Sequence, residues 1–125
     1  MGQRKSLFDR YPDHHVDLSA ESRRVRVRLG EEWVADTRRA LLVRETNHEP
    51  VHYLPLDDVR EDLIEATNHG SFCPFKGDAS YWSIRVGDRV EENVIWGYPD
   101  PFDEVSGLVG YVAFYADRVE WDFSD

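Results

Sequence analysis

Two strand-like runs, Tyr81 to Val86 and Arg89 to Trp96, are separated only by Gly87-Asp88, and this spacing constrains the chain more than any other feature. A two-residue loop with glycine first accepts a left-handed backbone that matches the twist of antiparallel strands, so the pair predicts a β-hairpin. The same signal recurs at Gly30-Glu31. Ahead of it Val25, Val27 and Leu29 alternate with Arg24, Arg26 and Arg28, the period of a half-buried strand, and the chain is expected to return through Glu32-Trp33-Val34-Ala35. Three arginines would then share one exposed face.

The remaining elements are read from the same signals. Ala40-Leu41-Leu42-Val43 is apolar on both faces and predicts a central strand, and Val51-His52-Tyr53-Leu54 predicts another, stopped at Pro55. Leu56 to Arg60 reads as a helical turn with acids near its start. Leu63 to Ala66 predicts a brief strand before a loop over Thr67 to Gly70. Gly97-Tyr98-Pro99-Asp100-Pro101 breaks the sheet, Asp103 to Gly107 predicts a turn of helix, and Leu108 to Tyr115 and Arg118 to Trp121 predict the last strands. No expected helix exceeds two turns, so the fold class is all-β, with antiparallel sheets packed or curled together. The 125 residues match one domain. Residues 1–22 are polar and broken by proline, and read as an N-terminal extension draped over a β domain spanning 23–125.

Charge and composition narrow the partners. A formal net charge of −10 disfavours a surface that tracks phosphates, so nucleic acid is not an expected partner. No apolar run approaches the roughly 18 residues of a membrane span, and the first residues lack an apolar signal core, which predicts a cytoplasmic protein without a membrane partner. Gly2 with Ser6 formally matches a myristoylation pattern. One cysteine excludes an internal disulfide and a multi-cysteine zinc site. His14, His15, His48, His52 and His69 are scattered, so no metal site is expected, and nothing in the chain specifies a cofactor.

Candidate chemistry concentrates in Phe72 to Ser83, where the cysteine, a lysine and four aromatic rings flank a tight turn. Pro74 suits the second position of such a turn and Gly77 a positive φ near its end, so Cys73 and Lys76 are expected close together on one bend. Cys73 could act as a nucleophile with Lys76 favouring its thiolate, or it could be a small buried hydrophobe. Lys76 beside Gly77 could hold an anion, or span a sheet edge and pair with Asp78. Arg38 and Arg60 could add cationic contacts or anchor loops. Tyr53, Tyr81, Trp82, Trp96, Tyr98, Phe114 and Tyr115 are many rings for a small core. Alternation sets Tyr81 opposite Trp82 and Phe114 opposite Tyr115, so one ring of each pair faces away from the main core. The expected catalytic candidates are Cys73 and Lys76. The expected ligand contacts are Arg60, Lys76, Gly77, Tyr81, Trp96 and Tyr98.

Several motifs occur together in order: Arg23-Arg24-Val25-Arg26-Val27, Ala35-Asp36-Thr37-Arg38-Arg39-Ala40, Tyr53-Leu54-Pro55 with Asp58-Val59-Arg60, Cys73-Pro74-Phe75-Lys76-Gly77, Trp96-Gly97-Tyr98-Pro99 and Val112-Ala113-Phe114-Tyr115. With this set the chain resembles the DUF427 family over about residues 11–121. The resemblance implies a small β domain of the Mss4-like, or β-tent, kind, in which two antiparallel sheets meet at an angle over a cleft. It implies no established activity. A nucleotidyltransferase label attached to the family would require a Gly-Ser turn followed by paired carboxylates for magnesium. Here Gly70-Ser71 is followed only by Asp78. Phe72 stands where members more often carry histidine, which leaves no Cys-His dyad at the turn. The leading expectation is a cleft that binds a small anionic or planar molecule. An interaction module for a peptide or protein, and a thiol-dependent enzyme using Cys73, are the alternatives.

Overall fold

Both glycine-first loops turn as their sequences require, with φ of 61° at Gly30 and 59° at Gly87. A computed structural model describes residues 5–125, and Gly2 of the myristoylation pattern lies outside them. In chain order the strands are β1 (Val16–Ala20), β2 (Arg24–Leu29), β3 (Glu32–Thr37), β4 (Leu41–Glu45), β5 (Val51–Pro55), β6 (Ile64–Cys73), β7 (Gly77–Val86), β8 (Arg89–Gly97), β9 (Tyr111–Phe114) and β10 (Glu120–Ser124). Short 3-10 turns occupy Leu56–Asp58, Glu61–Leu63, Asp103–Leu108 and Ala116–Arg118.

The strands form two antiparallel sheets. Seven strands run in the order β1-β4-β5-β9-β8-β7-β6, and three in the order β10-β2-β3. The all-β, two-sheet reading of the sequence therefore holds. β4 lies between β1 and β5, as its two apolar faces required.

Four local expectations change. The strand expected over Arg118 to Trp121 starts later and runs on as β10, because Arg118 ends a 3-10 turn. Thr67 to Gly70 is not a loop, because β6 continues through a register shift between Ala66 and Gly70. The Thr67 hydroxyl donates to Asn93 Oδ1 at 2.6 Å and ties this irregular stretch towards β8. The strand expected over Leu108 to Tyr115 shrinks to β9, since Leu108 closes a 3-10 turn. Finally, Val16–Ala20 does more than drape over the domain. It is an edge strand paired to β4 with Leu18 opposite Val43, and further upstream the Leu7 N–H donates to the Pro74 carbonyl at 3.0 Å.

Period-two alternation sorts the side chains of the large sheet into two cores. Leu54, Ile95, Val112 and Phe114 face the small sheet and pack with Val25, Val27, Leu29 and Val34. Their strand neighbours Tyr53 and Ala113, with Tyr81 of β7, face the other way and pack with Val43, Tyr98, Val105 and Leu108. The large sheet is thus covered on both faces. On the outer face of the small sheet Arg24 pairs with Asp36 at 2.5 Å, Arg26 with Asp122 at 2.6 Å and Arg28 with Glu120 at 3.3 Å. Each acid comes from a flanking strand, so the expected arginine face is a ladder of ion pairs rather than an open cationic patch.

Candidate functional site

The face of the large sheet turned away from the small sheet opens into a cleft of about 450 Å³, and the hairpin joining β6 to β7 forms one wall. Cys73 pairs with Gly77, and the Lys76 N–H donates to the Cys73 carbonyl at 3.2 Å, which closes the turn around Pro74 and Phe75. Gly77 has φ of 120°, and a Cβ there would sit 3.2 Å from the Asp100 carbonyl oxygen. Only glycine combines that backbone with that approach. The Phe102 N–H then donates to the Lys76 carbonyl at 3.0 Å, fixing the segment after β8 against the hairpin. Pinned on both sides, the turn directs Lys76 inward.

Lys76 is buried, and its ammonium donates to Glu45 Oε1 at the end of β4. The two side chains are 8% and 10% exposed, so this is an internal pair and not a surface one. His14 Nε2 lies 2.8 Å from Glu45 Oε2 and its ring stacks on Phe75 with centroids 3.8 Å apart. Burial works to raise the Glu45 carboxyl, but the hydrogen bonds from Lys76 and His14 outweigh it and hold the group below its ordinary range. The lowered carboxyl favours a charged acceptor, and a lysine ammonium has N–H groups in excess of the one Glu45 accepts.

Rings supply most of the remaining wall. Tyr53, Tyr81, Trp96, Tyr98 and Tyr115 line the cleft with Val43, Val51 and the polar groups of Cys73, His48 and Glu49. Trp96 and Tyr115 are tilted against each other at 4.7 Å, and Tyr53 meets Trp96 edge-on at 6.4 Å. Burial pushes the Tyr53 and Tyr98 hydroxyls well above the ordinary phenol range, and burial together with Tyr81 raises that of Tyr115. All three stay protonated at neutral pH and can donate. The Tyr81 hydroxyl is tied to Ser71 Oγ at 2.8 Å, which fixes that ring between β6 and β7.

Of the residues singled out in the sequence, Cys73, Lys76, Tyr81, Trp96 and Tyr98 come together in this cleft. Arg60 does not join them. It precedes the 3-10 turn at Glu61–Leu63 and binds Glu32 at 2.9 Å and Asp62 at 2.7 Å, the anchoring use. Gly77 shapes the turn without lining the cleft. Arg38 is absent from the lining too, and Lys76 is held by Glu45 rather than Asp78. Sequence reasoning missed Glu45, His48, Glu49 and Val51, and listed Tyr53 and Tyr115 only among the surplus rings. Glu45 carries a weak signal, an acid ending an apolar strand, but its partner lies 31 residues away.

Among the described residues no group of three or more His, Cys, Asp or Glu side chains is placed to hold a metal ion, and no helix is long and apolar enough to cross a membrane. A family model described as a domain of unknown function, DUF427, matches residues 17–124, nearly the whole chain. No curated protein matches it.

Proposed function

The chain belongs to the DUF427 family, and we propose that it is a binding domain whose cleft beside the Cys-Pro-Phe-Lys-Gly turn takes a small planar molecule, anionic or rich in hydrogen-bond acceptors. One observation carries the reading: five tyrosine and tryptophan rings and a buried lysine share a single concavity of about 450 Å³. That volume falls in the range of small-ligand sites, which combine an apolar wall with a few convergent polar groups. The Tyr53 and Tyr98 hydroxyls and the spare N–H groups of Lys76 are donors, and they favour a ligand that accepts. Because Glu45 balances the ammonium, Lys76 contributes hydrogen bonds more than surplus charge, so planarity and acceptor pattern are the stronger part of the preference.

Binding has more support than thiol chemistry. Cys73 is half-buried on the wall, and the ammonium that would favour its thiolate is engaged by Glu45. The acidic body supports a small ligand over nucleic acid, and two sheets enclosing a core support the β-tent reading of the family.

A thermal-shift screen against nucleotides, sugar phosphates and planar organic acids tests the proposal, since a ligand of the native state raises the melting temperature by mass action. A planar, acceptor-bearing compound is expected to raise it, and Trp96→Ala is expected to abolish the rise. A screen in which only non-planar compounds act, or a shift that survives Trp96→Ala, overturns the assignment.

A further inference from the structure

A second cavity of about 400 Å³ adjoins the first and shares Glu49, Val51, Trp96 and Tyr115 with it. Its other lining residues are Pro50, His52, Phe114, Ala116, Trp121 and Phe123, so apart from Glu49 and His52 the chamber is hydrocarbon and aromatic ring. It lies where β9 leaves the large sheet and the chain crosses through Ala116–Arg118 to β10 of the small one. The rings there are fixed. The Trp121 indole N–H donates to the Ala116 carbonyl at 3.2 Å, Trp121 and Phe123 lie nearly parallel at 5.9 Å, and His52 packs on Phe123 at 4.9 Å while bonded to Glu21 at 2.8 Å. Trp121 and Phe123 are nevertheless only partly buried. This is a held-open apolar shelf beside a donor-lined cleft.

Resting on the reading above, we infer that the ligand is elongated and amphipathic, with a planar acceptor-bearing head in the Lys76 cleft and an uncharged hydrocarbon or aromatic arm over Trp121 and Phe123. The shared residues place the two chambers side by side, the first on the face of the large sheet that carries Tyr53 and Tyr81 and the second on the face that carries Phe114, with Trp96 and Tyr115 belonging to both. Polarity divides between them: the ammonium and the buried Tyr53 and Tyr98 hydroxyls stand in the first chamber only, and the second is hydrocarbon and ring apart from Glu49, His52 and the Tyr115 hydroxyl. Glu49 stands where the chambers meet. Its carboxylate disfavours an acidic group at the junction and so sets the orientation, polar end towards Lys76. A head alone would leave the shelf wet, whereas an arm removes that apolar surface from water.

The experiment compares para-methoxybenzoate with para-hexyloxybenzoate by calorimetric titration. The wild-type protein is expected to bind both, the hexyl compound about tenfold more tightly or better, since burial of several methylenes is worth at least that. Ala116→Trp, which fills the mouth of the shelf, and Phe123→Ala, which removes its wall, are each expected to cut that gain below about threefold while leaving methoxy binding unchanged. Should a variant melt early, nuclear Overhauser contacts from hexyl protons to the Trp121 and Phe123 rings of the wild-type protein provide the same readout. Methoxybenzoate binding with no gain from the arm, or contacts to other rings, overturns the two-chamber ligand and leaves the cleft reading standing. Binding of neither compound at millimolar concentration overturns both.

Discussion

Cations meet carboxylates in two places in this protein, and the two are built differently. On the small sheet Arg24, Arg26 and Arg28 pair across strands with Asp36, Asp122 and Glu120 in water, the six side chains 29% to 61% exposed. In the cleft Lys76 and Glu45 meet with at most 10% exposure. Exposed pairs of the first kind are worth about 0–1 kcal/mol and serve chiefly to cover a solvent-facing sheet surface with charge. A buried pair loses hydration that its own attraction scarcely returns, and an apolar pair of similar volume is often as stable. The ladder is therefore a solvated surface, while the cleft pair is a cost the fold carries, consistent with a site that needs an ammonium at that point.

The sharpest way to break this contrast is to remove one member of each pair. Lys76→Met leaves Glu45 buried with His14, and His48 4.0 Å away, to satisfy it, and is expected to cost about 3–5 kcal/mol in urea unfolding. Adding Glu45→Leu to it should recover most of that loss. A double variant no more stable than the single would mean that the pair itself holds the fold together.

Acid offers a second comparison, intermediate in size. The folded-state carboxyls of Glu45 and Asp36 are both lowered, Asp36 chiefly by its hydrogen bonds from Arg24. Glu21, bonded to Arg23 and His52, is lowered to about 2. A depressed group stabilises the folded state above its unfolded pKa, and that contribution is lost as pH falls through the folded value. Urea stability is therefore expected to decline once pH drops below about 4.5 and to go on declining towards about 2. Lys76→Met should flatten the upper part of that decline more than Arg24→Gln does. Equal slopes would erase the distinction between the two regions.

The smallest effect belongs to the ladder. Arg24→Gln is expected to change urea stability far less than Lys76→Met does, and by less still in high salt. A loss comparable to that of Lys76→Met would show that exposure is a poor guide here.

Local pattern carried the strands well. The Arg-Val alternation of β2, the loops at Gly30-Glu31 and Gly87-Asp88 and the two-faced apolar run of β4 all depend on neighbours in sequence, and each is present in the structure. What escaped was set by contacts between distant segments. The irregular stretch of β6 over Thr67 to Gly70 has the composition of a loop and is held in a strand by β7 and by Asn93. β1 lies in a polar, proline-broken stretch and is recruited by the edge of β4. At the cleft, the hairpin could be read from Cys73 to Gly77, as could the rings that follow it. The choice of Glu45 as partner to Lys76 could not, because it depends on which strand lies beneath the turn. Arg60 was drawn into the expected site by its motif alone, and Glu32 and Asp62 hold it elsewhere.

The position of β9 has a consequence for how the chain is made. It is the penultimate strand in sequence, yet it lies between β5 and β8 and joins the two halves of the large sheet. Until it emerges from the ribosome, β1-β4-β5 and the β6-β7-β8 meander are two separate ribbons with unsatisfied edges. Pairing of β2 with β10 likewise waits until β10 has been made. Assembly is thus dominated by distant contacts, which slow folding. A nascent chain cut short near Gly110 would expose the open edges of β5, β8 and β2 to its neighbours, a form prone to aggregate.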